Sequence, residues 1–368
     1  MLVGNQFGFR RGKGTEDAIH SMVKFIHQSF NASEFVLGVF LDVKKAFDSL
    51  DREILLEKLK FYGIGGNSWK WFESYLTNRK QLTSYQNFLS DTAPVNFGVP
   101  QGGIVSGLLF LIYVNDVVNS SSNANSILYA DDTSLYFNSP NINVLFDKAN
   151  QSLVNYKKWF DSNKLTLNTS KTQYIIFHRK QRRIPENDNQ IFLGTDLVTE
   201  KKYVKFLGVV VDCNLSWNYH IGNLNRKLAK YVPIFYRIRN FCTNKSLKIM
   251  YNGLVYSNLI YCNSIWGYCT DTALNPLTVL HKKVIRAMAG VNRLHSTKEL
   301  FSRFSLLSLP EINVYMVGIF MYKCVKDGRN TWFEEAEHLV STRSACQNLI
   351  LIPRIRKKHS EQCISFRS

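Results

Sequence analysis

The stretch SILYADDTSLYF (residues 126–137) places Asp131 and Asp132 side by side between two runs that predict β-strands. Hairpin turns normally prefer Asn-Gly or Asp-Gly, and two adjacent carboxylates repel each other. Turns also favour aspartate for backbone reasons, so an ordinary solvated turn explains the pair when it is taken alone. The alternative is a bound cation, because a cation would compensate the doubled charge.

A third carboxylate, Asp42, follows an apolar run far upstream. FVLGVFLDV (35–43) is typical of a strand that is buried on both faces, and it leads directly into this aspartate. Taken alone, a strand-end aspartate is usually a cap or a salt-bridge partner. If the two strands are neighbours in one sheet, however, the three carboxylates converge, and their repulsion calls for a cation such as Mg²⁺. Two such ions about 4 Å apart are the arrangement that supports nucleotidyl transfer.

The charge of the chain indicates a polyanionic partner. Its 368 residues carry 46 Lys and Arg against 28 Asp and Glu, a net charge of +18. Between Lys201 and Arg293 there are 14 Lys and Arg but only two acidic residues, Asp212 and Asp271. Nucleic acid is the first candidate for the partner and an anionic membrane surface the second. A basic surface with neither role is the plain alternative.

The chain shows no sign of a membrane segment or of a secretion signal. No run of about 20 uncharged apolar residues occurs, and the opening MLVGNQFGFRRGKGTED lacks the apolar stretch of a signal peptide. We therefore expect a protein without a membrane partner, located in the nucleus, the cytoplasm or both.

The hydrophobic pattern predicts an α+β fold in which helices cover one side of a sheet. Helices are expected from Asp51 to Tyr62, over NSWKWFESYL (67–76), and over the apolar run GIVSGLLFLIYVNDVV (103–118). KYVKFLGVVVD (202–212) predicts further strands. The basic region after it has helical spacing, with Ile221, Leu224 and Leu228 on one face. Most of its aromatic residues are expected in the core.

Six segments, in a fixed order, resemble the reverse transcriptases of non-LTR (LINE-type) retrotransposons, most closely the jockey-like elements. NQFGFRRGKGTEDAI (5–19) is similar to the family's second block. The others are FLDVKKAFDSLDREILLEKL (40–59) for motif A, GVPQGGIVSGLLFLIYVNDV (98–117) for motif B, LYADDTSLY (128–136) for motif C, WFDSNKLTLNTSKTQYIIF (159–177) for motif D and KFLGVVVD (205–212) for motif E. A single YADD would be weak, but the ordered set is specific.

The resemblance implies a right-hand polymerase fold, namely a palm sheet with helices on one face, partial fingers and a helical thumb. Its segments are expected at 1–39 (partial fingers), 40–200 (palm, with fingers or palm helices at 64–97), 201–214 (primer-grip hairpin), 215–300 (thumb) and 301–368 (C-terminal tail). The implied activity is RNA-directed DNA polymerisation, with an RNA template, a DNA primer or target DNA, and dNTPs as partners.

The resemblance also implies a role for particular residues. Asp42, Asp131, Asp132 and the carbonyl of Val43 match the ligands of two Mg²⁺ ions, with Mn²⁺ as an alternative ion. Lys171 matches a lysine that protonates the leaving pyrophosphate. The remaining matches are Phe47, a steric gate against the 2′-hydroxyl; Pro100, Gln101 and Gly102, a loop at the nascent base pair; and Phe206, Leu207 and Gly208, the primer grip.

Three alternatives remain open at this point. Compared with the family, this sequence lacks an endonuclease domain and the finger blocks before QFGFR, so a catalytically impaired fragment that still binds nucleic acid is one of them. In the family, the finger blocks carry an arginine that clamps the triphosphate. None of Arg10, Arg11 and Lys13 can be assigned to that role. An RNA-directed RNA polymerase shares the three carboxylates, but Phe47 and the alanine at position 130 argue against it. An unrelated basic protein would leave the ordered segments unexplained.

Overall fold

A computed structural model describes residues 2–186 and 188–327, together with the backbone of two short strands at 334–335 and 350–351. The chain divides into two units, Met1–Lys202 and Tyr203–Ser368. This boundary lies close to position 200–201, where the sequence predicts that the palm ends and the primer-grip hairpin begins. The finer assignment of segments to fingers, palm and thumb stays a prediction.

The first unit is built around a five-stranded sheet. Its helices are α1 (Thr15–Asn31), α2 (Arg52–Phe61), α3 (Gly66–Leu76), α4 (Ser106–Val114) and α5 (Ile142–Ser162). Its strands are β1 (Phe35–Leu41), β2 (Lys80–Gln81), β3 (Ser84–Tyr85), β4 (Phe88–Leu89), β5 (Ala93–Pro94), β6 (Asn125–Tyr129), β7 (Asp132–Ser139), β8 (Gln173–Phe177), β9 (Phe192–Leu193), β10 (Asp196–Leu197) and β11 (Thr199–Glu200).

Strand β1 is the centre of the main sheet, whose order is β11-β8-β1-β7-β6. It pairs antiparallel with β7 on one side and with β8 on the other, whereas β11 runs parallel to β8. Neighbouring residues Val36 and Leu37 of β1 are both fully buried. Because successive side chains of a strand point to opposite faces, this confirms the prediction of a strand buried on both faces.

A helix covers each face of the sheet, which differs from the expected arrangement with helices on one face. Phe146 of α5 contacts the ring of Tyr174, which pairs with Val39. Phe25 of α1 contacts the ring of Tyr136, which pairs with the next residue of β1, Gly38, and therefore lies on the other face. The second face is covered because the segment predicted as fingers supplies α1.

The predicted helices of this unit form, with one change in extent. Asp51 caps α2 by accepting hydrogen bonds from the amides of Glu53 and Ile54, and α3 covers the predicted NSWKWFESYL segment. The apolar run 103–118 forms a shorter helix than expected. Helix α4 begins only at Ser106, and a 3₁₀ turn at Val117–Ser120 follows it.

The expectation of helices throughout 64–97 is wrong beyond α3. Residues 80–94 form a β-arm in which β2 pairs with β5 and β3 pairs with β4. Its tip is a two-residue turn, Gln86–Asn87, whose φ angles are 44° and 68°. Two left-handed residues match the right-handed twist of a hairpin and end any helix. Tyr85 and Phe88 beside the turn are largely exposed.

Arg52 ties the end of the β-arm to α2. This residue is 8% exposed, and its guanidinium donates to the carbonyls of Gly98 and Phe97 at 2.9 Å each and to that of Val95. We expect Arg52→Met to lower the free energy of unfolding by about 2–4 kcal/mol, because partly buried carbonyls lose charged donors. Urea unfolding measures the change. Glu57→Met, at an exposed site on the same helix, is the control, and equal losses in the two variants would contradict the prediction.

The second unit is a β-hairpin followed by helices. The hairpin consists of β12 (Tyr203–Phe206) and β13 (Val209–Asp212). The helices are α6 (Asn218–Ala229), α7 (Tyr231–Ile238), α8 (Asn244–Tyr251), α9 (Ser257–Ile260), α10 (Asn263–Trp266), α11 (Asp271–Ala289), α12 (Lys298–Phe304) and α13 (Leu309–Lys326), with a π-helical turn at Asn252–Tyr256. The short strands β14 (Glu334–Glu335) and β15 (Ile350–Leu351) pair antiparallel.

The basic region 215–300 is helical, as the spacing predicts. Ile221, Leu224 and Leu228 of α6 are buried, whereas Arg226 and Lys227 are exposed. Three of its aromatic residues, Phe235, Tyr251 and Trp266, are fully buried. For these three residues the expected position in the core is confirmed. The predicted tail 301–368 lies largely outside the described residues, which extend continuously only to 327.

Among the described helices, none is by itself both long and apolar enough to cross a membrane. Helices α12 and α13 reach that threshold only as a pair, with a bend of 52° between them.

Candidate active site

Three carboxylates lie at one end of the paired strands β1 and β7. Asp42 directly follows β1, Asp132 is the first residue of β7, and Asp131 precedes it in the turn after β6. In the register of the two strands, Leu41 pairs with Thr133. Asp42 and Asp132 therefore occupy adjacent positions at the same sheet edge, as the sequence predicts if the strands are neighbours.

The three carboxylates interact electrostatically. Partial shielding of its carboxyl group from solvent, followed by the charges of Asp131 and Asp42, raises the pKa of Asp132 to about 6. Repulsion and desolvation both disfavour the ionised form, so each makes this group easier to protonate. A cation at this edge would reverse the effect, since it favours the ionised carboxylates.

The donor set suits a hard cation, although the side chains do not enclose one. Carboxylate and carbonyl oxygens are the ligands that Mg²⁺ prefers, and this ion is commonly held by one or two carboxylates plus substrate phosphates. Within the described part of the chain, no three His, Cys, Asp or Glu side chains are arranged to hold a metal by themselves. The residues fit the ion chemically, but the protein alone does not form a complete cage.

Lys171 lies near the carboxylate of Asp42 because the backbone after α5 runs alongside the end of β1. Asn168 donates its amide to the carbonyl of Asp42 at 2.7 Å, and Lys44 donates to that of Thr166 at 2.8 Å. Val43 forms an isolated antiparallel bridge with Leu167 between these bonds. The turn that follows brings Lys171 Nζ to 3.9 Å from Asp42 Oδ2, with the lysine side chain 70% exposed. An exposed ammonium at this position is able to approach an anion bound beside Asp42.

Phe47 is half-buried in an aromatic cluster. Its ring stacks on that of Phe110 with the centroids 4.5 Å apart, and it forms a T-shaped pair with the ring of Phe9, with the centroids 6.2 Å apart. Core packing therefore accounts for one face of this ring. The partial exposure of the side chain leaves it able to contact a sugar as well.

The loop with Pro100, Gln101 and Gly102 is attached to the chain that follows Asp42. Gln101 Nε2 donates to Asp48 Oδ1 at 2.8 Å, and the amide of Val99 donates to the carbonyl of Phe47 at 3.0 Å. Gly98, with a φ of 76°, lies so close that a Cβ there would be 2.8 Å from Asp48 Cα. The structure thus joins the predicted motif A and motif B loops.

The predicted primer grip forms the tip of the β12–β13 hairpin in the second unit. Phe206 is buried, and the turn consists of Leu207 and Gly208 with φ angles of 44° and 82°. A leucine in the left-handed region is strained. Tyr261 restrains it by donating its hydroxyl to the carbonyl of Leu207 at 2.7 Å.

We expect Tyr261→Phe to lower the free energy of unfolding by about 1 kcal/mol, since one hydrogen bond to a strained turn is lost. If the hairpin holds a primer, extension slows several-fold while the KM for dNTP stays unchanged. Tyr236→Phe, at a 59% exposed tyrosine in the same helical region, is the matched control. Steady-state extension with both variants measures the effect, and an unchanged rate in Tyr261→Phe would argue against a restrained primer grip.

Sequence reasoning missed three residues that support these segments, namely Gln6, Asp48 and Tyr261. Each makes its contact across a long separation in sequence. The chemistry of the residue types gave no signal for them. Only the resemblance of the segment around Gln6 to a family block pointed to that part of the chain.

The comparison with protein families identifies the class. Residues 2–211, more than half of the chain, match the family model described as "Reverse transcriptase (RNA-dependent DNA polymerase)", so the chain belongs to this family. Reverse transcriptase domains generally use divalent metals.

Curated relatives confirm the resemblance to non-LTR retrotransposons. The chain is 25% identical over 299 residues to the "Probable RNA-directed DNA polymerase from transposon X-element" of Drosophila melanogaster, covering 78% of this chain and 32% of that protein. It is 24% identical over 305 residues to the "RNA-directed DNA polymerase from mobile element jockey" of the same species, covering 80% and 33%. The chain thus spans about a third of the length of these relatives.

Solved structures of telomerases are also similar. A telomerase from Candida albicans, in complex with a TWJ fragment of telomeric RNA, aligns over 83% of this chain and 55% of its own, at 12% identity and a TM-score of 0.47. An apo telomerase from Candida tropicalis aligns over 88% and 55%, at 11% identity and a TM-score of 0.46.

Proposed function

We propose that this chain supplies the polymerase core of a non-LTR retrotransposon and adds dNTPs to a primer 3′-hydroxyl on an RNA template. The observation that carries the proposal is the edge of the β1–β7 pair, where Asp42 and Asp132 occupy adjacent positions and where desolvation and the charges of Asp131 and Asp42 raise the pKa of Asp132. A chain in the reverse transcriptase family with that edge is expected to use it for nucleotidyl transfer.

In this proposal Asp42, Asp131, Asp132 and the carbonyl of Val43 hold two Mg²⁺ ions, or Mn²⁺ in their place. The chemistry that such a pair of ions supplies is activation of the 3′-hydroxyl and stabilisation of the leaving pyrophosphate. Because the carboxylates do not enclose an ion by themselves, we infer that the triphosphate oxygens complete the coordination. In this proposal the metal site is complete only when the substrate is bound.

Lys171 is proposed to act on the leaving group. Its ammonium, beside Asp42 and open to solvent, neutralises the charge that develops on the pyrophosphate and donates a proton to it. The contact with Asp42 keeps the lysine, before the substrate binds, near the position that the reacting phosphate would occupy.

Substrate selection is proposed to lie with Phe47 and the loop after Gly98. The ring of Phe47, a partly exposed residue, would leave no room for a 2′-hydroxyl, so deoxynucleotides are preferred. Gln101, bonded to Asp48 at 2.8 Å, and the neighbouring Pro100 and Gly102 approach the nascent base pair. The hydrogen bond from the amide of Val99 to the carbonyl of Phe47 fixes this loop next to Phe47, so the residue that contacts the sugar and the residues that contact the base are held together.

The second unit is proposed to hold the template–primer duplex. Arg226 and Lys227 are exposed on α6, in a stretch with 14 Lys and Arg and two acidic residues. Contacts of this kind go to phosphates, so binding is expected to weaken steeply with salt and to depend little on sequence. Phe206, Leu207 and Gly208 would meet the primer terminus.

The experiment uses purified protein, poly(rA)·oligo(dT) and Mg²⁺ with either dTTP or UTP. We expect incorporation of dTTP that is lost in Asp131→Asn. Preferential incorporation of UTP would instead identify an RNA-directed RNA polymerase. Binding of the duplex without incorporation, even at high dTTP, would overturn the proposal in favour of a fragment that only binds nucleic acid.

A further inference from the structure

The segment before α1 lies along the outer edge of the catalytic hairpin. The amide of Leu128 in β6 donates to the carbonyl of Asn5 at 2.9 Å, and the amide of Phe7 donates to the carbonyl of Leu128 at 2.8 Å. Gln6 thereby forms a parallel bridge with Leu128. Arg10 secures the segment from within by donating to the carbonyl of Val3 at 2.6 Å. Residues 3–10 thus form a loop that is hydrogen-bonded both to β6 and within itself.

The side chain of Gln6 points into this contact and ends at the catalytic turn. The residue is 1% exposed. Its Oε1 accepts a hydrogen bond from the amide of Gly8 at 2.8 Å and another from the amide of Ala130 at 3.1 Å. Because both partners are donors, the oxygen rather than the amide nitrogen must face them. One side chain therefore joins the N-terminal loop to the residue immediately before Asp131.

Ala130 is a position that needs such a restraint. Its φ is 54°, in the left-handed region that non-glycine residues seldom adopt. The backbone of Gly8 packs closely against the same residue, since a Cβ at position 8 would lie 2.4 Å from the Ala130 nitrogen. The conformation of the turn, and with it the directions of the Asp131 and Asp132 side chains, is thus set by contacts from residues 6 and 8.

Gln6 carries an energetic cost at this position. Its Nε2 is buried and has no hydrogen-bond partner among the described residues, and an unsatisfied buried donor typically costs about 1–3 kcal/mol. An apolar side chain of similar length, such as methionine, would avoid that cost but would leave the amide of Ala130 without its acceptor. The acceptor oxygen is therefore the property that the site requires.

We propose that Gln6 is a positioning residue, which holds the Ala130–Asp131 turn so that Asp131 and Asp132 are oriented for the metal ions. The inference rests on the proposed polymerase function for its catalytic consequence, although the restraint on the turn does not depend on it. Gln6 itself contacts no substrate in this proposal and acts only through the backbone of Ala130.

The test compares Gln6→Met with Asn115→Leu. Asn115 is also buried and anchors the same loop, because its Oδ1 accepts from the amide of Val3 at 2.9 Å, whereas the amide of Ala130 donates to Gln6. In Gln6→Met we expect hydrogen exchange of the peptide that contains Ala130 to accelerate about tenfold, as a hydrogen bond is lost. We expect kcat for dTTP incorporation to fall about 10- to 100-fold, the usual range for outer-shell partners of a metal site. The KM for dTTP should change less than twofold.

In Asn115→Leu we expect faster exchange only near Val3, with kcat per folded molecule unchanged. Equal effects of both variants on kcat, or unchanged exchange at Ala130 in Gln6→Met, would overturn the proposal. If the wild-type protein extends no primer, the proposed function fails, and Mn²⁺ binding followed by electron paramagnetic resonance then decides. Weaker Mn²⁺ binding in Gln6→Met than in Asn115→Leu supports the positioning role, and equal binding contradicts it.

Discussion

Asp132→Asn is expected to abolish primer extension, with kcat lowered about a thousandfold or more, because Asp132 is proposed to hold the catalytic metal ions. The measurement is single-turnover incorporation of dTTP on poly(rA)·oligo(dT) at saturating Mg²⁺. Asp147→Asn is the matched control, because Asp147 is an exposed carboxylate on α5, and we expect it to retain wild-type activity. Extension by Asp132→Asn within tenfold of wild type would remove Asp132 from the metal site.

The same substitution is expected to stabilise the protein in the absence of metal. Because the pKa of Asp132 is raised to about 6 in the folded state, the folded protein binds more protons than the unfolded chain between about pH 4 and pH 6. The stability of the metal-free wild type therefore falls as the pH rises through this interval. The residue as a whole is exposed, although its carboxyl group is partly shielded, so water screens the repulsion and the gain in Asp132→Asn at pH 7 should be only about 0.5–1 kcal/mol. Urea unfolding of both proteins at pH 4.5 and pH 7 without Mg²⁺ measures this difference. If Asp132→Asn is less stable than the wild type at pH 7, the predicted repulsion among the carboxylates is wrong.

Phe47→Val is expected to relax the selection against ribonucleotides about 10- to 100-fold, a size in line with the discrimination that apolar pockets achieve against one added hydroxyl. The shorter side chain removes the ring edge that would contact the 2′-hydroxyl. The measurement is the ratio of kcat/KM for dTTP to that for UTP on one template.

Phe110→Leu is the control for packing, because Phe110 stacks on Phe47 at 4.5 Å but is itself 1% exposed. We expect it to lose stability while keeping most of the preference for dTTP. An unchanged preference in Phe47→Val would leave Phe47 with a packing role alone.

Local patterns in the sequence determined the elements of the site. The apolar run within 35–43 predicted β1, the aspartate at position 51 marked the start of α2, and the order of six segments identified the family. These features are local or follow chain order, so they need no knowledge of which elements meet. The β-arm at 80–94 escaped this reasoning because its conformation depends on two left-handed turn residues rather than on a hydrophobic period.

Only the tertiary structure decided how the elements meet. The pairing of Leu41 with Thr133 aligns Asp42 with Asp132, and a slip of one residue would turn these side chains to opposite faces. The bond from Ala130 to Gln6 and the approach of Lys171 to Asp42 likewise join residues more than 100 positions apart. Such contacts arise from packing of distant segments, and no local periodicity encodes them. The sequence by itself therefore identified the three carboxylates, whereas the fold determined what holds them in place.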